Sequence, residues 1–144
     1  MSLLTVNGKL DRIFSSTRII TLTAKTVNNW DLSGSSAIVC NLDTNAITNY
    51  LSVTGILAGQ DGEIKILIPN HSTKYIIFYH DNSNSDANNR IFCPDNSIFR
   101  AAIRGGVILM YLTSTNRWHI VGETGPSGSG FASCSIGSVG GGGP

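Results

Sequence analysis

The chain has 144 residues, a formal net charge of +1 and a charged fraction of only 13%. This length fits one domain, and the weak net charge excludes the strong basic field with which proteins attract nucleic acid or anionic membranes. No apolar run approaches the ~18 residues of a membrane-spanning helix. We therefore expect neither a nucleic-acid nor a membrane partner.

The residues before residue 18 form a mixed N-terminal arm, 1–17, that ends in Ser and Thr. The arm lacks the basic and long apolar segments of a secretory signal peptide, so we expect synthesis in a cytoplasm. Cys40, Cys93 and Cys134 show no CxxC spacing. Cys40 lies in an apolar run and is expected to be a buried thiol, although a disulfide between Cys40 and Cys93 stays open at this point.

Short apolar or alternating segments then follow one another at close intervals, separated by turn residues, and none shows a sustained helical period. The abundance of Ser, Thr and Asn and the scarcity of Glu also favour β-structure. The predicted strands are residues 18–24, 37–42, 49–53, 63–68, 74–80, 106–112 and 117–121, the last two joined by a hairpin turn at 113–116. The sequence predicts an all-β domain over 18–121, with an antiparallel jelly-roll-like β-sandwich as its architecture.

The composition changes abruptly at residue 122, where a Gly-rich tail, 122–144, begins. Gly122, Gly125 and Gly128 open three consecutive Gly-X-Y triplets, the repeat of a collagen triple helix. Three triplets are too few to hold three chains together alone, but on a domain that is already trimeric they would continue the threefold axis as a short stalk. A flexible Gly/Ser tail with accidental periodicity is the alternative.

Residues suited to catalysis or metal binding do not form a recognisable pattern. His71, His80 and His119 are present, but no GxSxG motif or facing pair of carboxylates accompanies them, and His119 is expected to pack within its strand. The segment 81–86 is rich in oxygen ligands but lacks the glycine and glutamate of an EF-hand loop. We expect no catalytic residue, no metal and no cofactor.

Aromatic side chains on a β-surface offer a different function, because such rings can stack on sugars. The candidates are Tyr75, Tyr79, Trp30 and Trp118. Alternation places Tyr75 and Tyr79 on one face of a strand and Phe78 on the other, but does not decide which face belongs to the core.

Four stretches taken together resemble a β-sandwich module of tailed-bacteriophage virion proteins, which include head-decoration and fibre proteins. The resemblance covers residues 21–121 and is carried by Asn28-Asn29-Trp30, Asp61-Gly62, Asn89-Arg90 and Arg117-Trp118. The sequence departs from the pattern at Leu32, where proline is usual, and at Leu112, where aspartate is usual.

Structural roles explain these motif residues best. Trp30 would plug an edge of the sandwich while the preceding asparagines bond loop backbone, and Asp61-Gly62 would form a turn. Arg90 would fasten its loop to an acid such as Asp86 or Asp95.

The resemblance implies a non-enzymatic virion protein on the outer surface of the phage particle, made in the host cytoplasm. We expect a homotrimer that serves as a capsid decoration (cement) protein or a head-fibre base, with the major capsid protein or other virion subunits as partners. The alternative is a receptor- or carbohydrate-binding module of a tail or head fibre, with a host-surface glycan as its partner.

Overall fold

The computed structural model describes residues 17–124 and contains ten strands in this range. They are β1 (Arg18–Thr21), β2 (Thr26–Val27), β3 (Ala37–Asn41), β4 (Tyr50–Val53), β5 (Ile64–Asn70), β6 (Tyr75–Phe78), β7 (Ile91–Phe92), β8 (Phe99–Arg100), β9 (Val107–Leu112) and β10 (Arg117–Glu123). Short 3-10 turns at Ala87–Asn89 and Pro94–Asn96 flank β7. The predicted arm up to residue 16, together with Gly125, Gly128 and Cys134, lies outside the described residues.

The first six strands alternate between two sheets. Strands β1, β3 and β5 lie side by side in a six-stranded sheet of order β1-β3-β5-β9-β10-β7, and β2, β4 and β6 lie side by side in a four-stranded sheet of order β2-β4-β6-β8. Within both groups the neighbours run parallel. The chain therefore winds through three successive coils, each of which adds one strand to each sheet, as in a short β-solenoid.

The all-β prediction is confirmed, but the antiparallel jelly-roll arrangement is not what the structure shows. A jelly roll pairs its strands antiparallel, whereas Ile38 of β3 has parallel neighbours on both sides, Arg18 in β1 and Leu67 in β5. The prediction failed because an alternating strand has the same pattern in both kinds of ladder. Only side-chain period, not strand direction, can be read from such a segment.

Antiparallel pairing is found in the C-terminal part of the described chain. The predicted hairpin is present as β9 and β10, which pair antiparallel, and β9 also pairs antiparallel with β5. Strand β8 pairs antiparallel with β6 at the edge of the four-stranded sheet. These strands therefore end the stack of parallel coils.

The core lies between the two sheets and is filled by alternate residues of the strands. Ile38 and Cys40 of β3, Leu67 of β5 and Leu109 of β9 are fully buried, while the residues between them point outward. Ile76 and Phe78 of β6 are also buried, so the core side of that strand is the side opposite Tyr75. The alternation thus gives each sheet one core face and one outer face.

Strand β5 continues through Pro69, although the sequence predicted that the strand would stop before it. Proline lacks an amide N–H and is normally confined to unpaired positions of a strand. The pairing of β5 with β9 ends at Leu67, opposite Val107, so no residue of β9 faces Pro69. Proline is tolerated at this position because the edge of β5 that faces β9 has no pairing partner beyond Leu67.

Cys40 and Cys93 are free, buried thiols, so the structure contains no bond between them. Burial raises the pKa of both thiols to about 12. Both cysteines are therefore protonated at neutral pH and contribute to packing.

Candidate functional site

The asparagines of the first motif form a hydrogen-bonded cluster with two later segments. The side-chain oxygen of Asn29 accepts hydrogen bonds from the Asp86 amide and from the Asn89 side chain, both at 2.8 Å. The side-chain oxygen of Asn28 accepts one from the Thr54 hydroxyl at 2.6 Å. We call Asn28, Asn29, Thr54, Ser85 and Asn89 the asparagine clasp, because they tie residues 28–29 to the residue that follows β4 and to the 81–90 loop.

The remaining bonds of the clasp involve two backbone amides and a pair of hydroxyl groups. Ser85 accepts a hydrogen bond from the Asn29 amide at 2.9 Å, and its hydroxyl lies 2.7 Å from that of Thr54. Asn89 accepts one from the Ala58 amide at 2.8 Å. Asn29 has a φ of 47°, a left-handed conformation that asparagine tolerates better than most residues. The motif residues of the clasp therefore specify a loop geometry.

The two tryptophans of the motifs differ in their surroundings. Trp118 is fully buried, and its indole N–H donates to the carbonyls of Ile56 and Leu57 at 3.0 and 3.1 Å. Trp30 is half-buried against the core, and its backbone pairs in parallel with Ile56. Trp30 thus packs against the core beside Ile56, while Trp118 belongs to the core and offers no ring face for a ligand.

Arg90 and Arg117 converge on one carboxylate. The Nε atom of Arg117 lies 3.0 Å from Asp81 Oδ1, and Arg90 Nη1 lies 3.8 Å from the same oxygen. Arg90 also donates to the Ser85 carbonyl at 2.9 Å. Arg90 therefore pairs with an acid, but this acid is Asp81 rather than Asp86 or Asp95, because the 81–90 loop folds back and brings its own first residue to the arginine.

The Asp61-Gly62 turn precedes β5 and is held at both ends. Gly62 has a φ of 82°, and the Glu63 amide donates to the Gln60 carbonyl to close the turn. Asp61 Oδ1 accepts hydrogen bonds from the amide and hydroxyl of Thr113 at 3.0 and 3.2 Å. Asp61 therefore joins this turn to the turn of the β9–β10 hairpin.

A buried lysine, which the sequence analysis did not single out, lies just after this turn. Lys65 is 2% exposed, and its ammonium donates to the carbonyls of Leu32 and Ser35 at 3.0 and 2.6 Å. It also lies 3.1 Å from Glu63 Oε2. Partial burial tends to raise the pKa of Glu63, but hydrogen bonds from the Gln60 amide and Lys65 outweigh it and hold the pKa below its usual value.

The histidines and acids do not form a metal-binding group among the described residues. Burial lowers the pKa of His119, whose Nε2 lies 2.7 Å from the Thr115 hydroxyl. The His71 ring nitrogen accepts a hydrogen bond from the Thr73 amide in a tight turn. Over residues 17–124, no three His, Cys, Asp or Glu side chains come close enough together to hold a metal ion.

The outer face of the six-stranded sheet is apolar across four neighbouring strands. Nine outward-pointing residues of β1, β3, β5 and β9 form what we call the apolar sheet face: Ile19, Ala37, Val39, Ile64, Ile66, Ile68, Ile108, Met110 and Leu112. The register places them in rows, such as Ala37, Ile66 and Ile108. Gly122 continues this row on β10, opposite Ile108.

The outer face of the four-stranded sheet is aromatic and polar. Tyr50 of β4 and Tyr75 of β6 lie side by side, with ring centroids 5.5 Å apart and an angle of 26° between the planes. Tyr75, a predicted sugar-stacking candidate, is therefore on the surface, and Tyr79 is half-buried beyond the end of β6. Tyr50 was missed as a candidate, although it lies in a predicted strand, because a single tyrosine at a strand start carries no motif.

No family model and no curated protein matches the sequence. A solved structure described as "Structure of a chaperone-substrate complex" is similar over 70% of this chain, at 9% sequence identity and a TM-score of 0.38. This chain spans 14% of the length of that protein. A likeness at this level carries no argument about fold or function. Among residues 17–124, no helix is long and apolar enough to cross a membrane.

Proposed function

We propose that this protein is a non-enzymatic structural protein of the bacteriophage virion. In this proposal it is a homotrimer on the outer surface of the particle, acting as a capsid decoration (cement) protein or head-fibre base and made in the host cytoplasm. The observation that carries the proposal is the apolar sheet face, because the largest apolar patch on a protein surface is often a site of association.

The composition of the apolar sheet face favours another copy of the chain as that partner. Its nine residues are all apolar, and the polar residues of the same outer face, Thr21, Asn41 and Asn70, lie together in a single row beside them. Four strands about 4.8 Å apart and about 16 Å long give an area of about 300 Å², within the range of apolar patches that are functional in soluble proteins. About a threefold axis the contacts are heterologous, so one part of the apolar sheet face would pack against a different part of the same face on the next copy.

The motif residues support a structural role rather than a catalytic one. The asparagine clasp, Trp118 and Asp61 direct their polar atoms at backbone groups or at one another. Such bonds fix loops between coils, which suits a rigid module on a particle surface. The motif residues on which the resemblance to phage virion modules rests are thus residues that stabilise the fold.

The Gly-X-Y triplets fit the same proposal. Gly122 ends the row of Ala37, Ile66 and Ile108 on the apolar sheet face. Three chains associated through this face would bring their tails towards a common axis, where Gly125 and Gly128 would permit close approach. The major capsid protein or other virion subunits would then bind elsewhere on the trimer.

Purified phage particles that carry the protein provide the test. Antibodies against the folded domain should label the outside of intact particles, and quantitative mass spectrometry should give a copy number divisible by three. An Ile66→Lys variant should fold but be lost from particles, whereas Ile98→Lys, which alters an exposed isoleucine outside the apolar sheet face, should be retained. Labelling only of disrupted particles, or a copy number not divisible by three, would refute the proposal.

A further inference from the structure

The two stacked tyrosines on the four-stranded sheet belong to a longer stack that stops at Tyr50. The guanidinium carbon of Arg100 lies 3.8 Å from the ring centroid of Tyr75, and Tyr75 lies against Tyr50. Because the strands run in the order β4-β6-β8, Arg100 and Tyr50 flank Tyr75 from opposite sides. Both sides of the Tyr75 ring are therefore covered by neighbouring side chains. Tyr50 is the last residue of the stack, and it remains 38% exposed.

A cavity of about 230 Å³ lies beside Tyr50. It is lined by Lys25, Thr26, Thr48, Asn49, Tyr50 and Ser52, and Tyr75 does not reach it. The cavity therefore borders Tyr50 on the β2 side of the sheet, away from the ring that covers its other side. Its volume is smaller than the roughly 300–1,000 Å³ of sites for drug-sized ligands, so it suits a single six-membered ring.

The polar groups around the cavity are available to a ligand. Lys25, Thr48 and Asn49 are all exposed to solvent. The backbone that carries them is fixed, because the Ser52 amide donates to the Lys25 carbonyl at 2.9 Å and the Tyr75 amide donates to the Asn49 carbonyl at 3.3 Å. The backbone that carries these exposed polar side chains is thus fixed beside one aromatic ring.

We propose that this cavity, the Tyr50 slot, binds a pyranose unit of a surface saccharide. A pyranose has an apolar C–H face, which would continue the stack on Tyr50, and a rim of hydroxyl groups for Asn49 and Thr48. No acidic residue lines the slot and Lys25 does, so a sugar with a carboxylate substituent is accommodated as well as a neutral one. The slot lies on the other sheet from the apolar sheet face, so it does not depend on the proposed trimer.

A titration of the full-length, isotope-labelled protein with methyl glycosides of glucose, galactose, N-acetylglucosamine and glucuronic acid tests the site. For at least one sugar, the backbone amide NMR shifts should saturate with a dissociation constant on the order of 1 mM, typical of a small ligand held by few contacts. The largest changes should fall at residues 25–26 and 48–52. If none of the four glycosides causes saturable shifts at a concentration of about 10 mM, the proposal is overturned.

Matched substitutions at the slot separate stacking from folding. Tyr50→Ala should weaken binding at least tenfold, whereas Tyr50→Phe, which keeps the ring, should bind within threefold of the wild type, in line with about 1.4 kcal/mol per tenfold change. Asn49→Ala should weaken binding severalfold. Equal thermal midpoints would show that the variants fold. Unchanged affinity in folded Tyr50→Ala would refute the site and leave the proposed virion role untouched.

Discussion

Replacement of Asn89 by alanine tests the asparagine clasp at its centre. The side chain of Asn89 makes two hydrogen bonds, one to Asn29 and one to the Ala58 amide, both 2.8 Å long. Each is worth about 1 kcal/mol in net stability, so Asn89→Ala should lower the free energy of unfolding by about 2 kcal/mol. Ala58 is exposed, so water can replace its lost partner and the full desolvation penalty does not apply.

Urea denaturation and thermal unfolding would measure the effect of this substitution. A loss of about 2 kcal/mol in a domain of about 100 residues corresponds to a fall of about 10 °C in the midpoint temperature. Wild type and variant must be compared at equal protein concentration, because association would make the midpoint concentration-dependent. A change of less than about 0.5 kcal/mol would refute the structural role that we assign to Asn89.

A double-mutant cycle with Asn29 isolates the bond that the two asparagines share. Asn29→Gly is the suitable partner variant, since glycine adopts the φ of 47° without strain. The combined variant should lose about 1 kcal/mol less than the sum of the single losses, because both single variants break the same bond. Additive losses would show that the two side chains do not interact in solution.

Three further predictions follow from buried or paired groups. Trp118→Phe removes an indole donor shared by two carbonyls and should cost about 2–3 kcal/mol in urea denaturation; an unchanged midpoint would contradict that bond. The lowered pKa of Glu63 means that its carboxylate stabilises the fold above pH 4.5 and that this contribution disappears as the pH falls through the lowered value. The stability difference between wild type and Glu63→Gln, followed by unfolding at a series of pH values, should therefore shrink in acid, and a constant difference would argue against it. In a Cys134→Ser background, Cys40 and Cys93 should react with Ellman's reagent at pH 8 only after denaturation, and rapid reaction of the folded protein would disprove their burial.

The fold could be predicted from the sequence as far as the side-chain period allows. Residues 106–112 and 117–121 gave a correct hairpin because a short polar turn joins two alternating strands, which fixes their direction. Strand direction elsewhere depends on the path of long connections, which alternation does not reveal. A signal was present in the even spacing of Thr26, Tyr50 and Tyr75, which begin the three parallel strands of the four-stranded sheet.

The candidate surfaces could be predicted only in part for a similar reason. Tyr75 was identified as a stacking candidate, but its stacking partner Tyr50 comes from another coil and became visible only with the register of β4 and β6. Likewise, Asp81 replaced the expected acids as the partner of Arg90 because of the path of one loop. Contacts between residues distant in sequence depend on the topology, and the topology could not be inferred from the alternation of side chains.

The most direct test of the proposed assembly is the mass of the purified full-length protein in solution, measured by light scattering after size-exclusion chromatography. We predict a stable species of three times 15.3 kDa for the wild type and for Ile98→Lys, and a folded monomer for Ile66→Lys. A wild-type monomer at every concentration, or an Ile66→Lys variant that remains trimeric, would contradict association through the apolar sheet face.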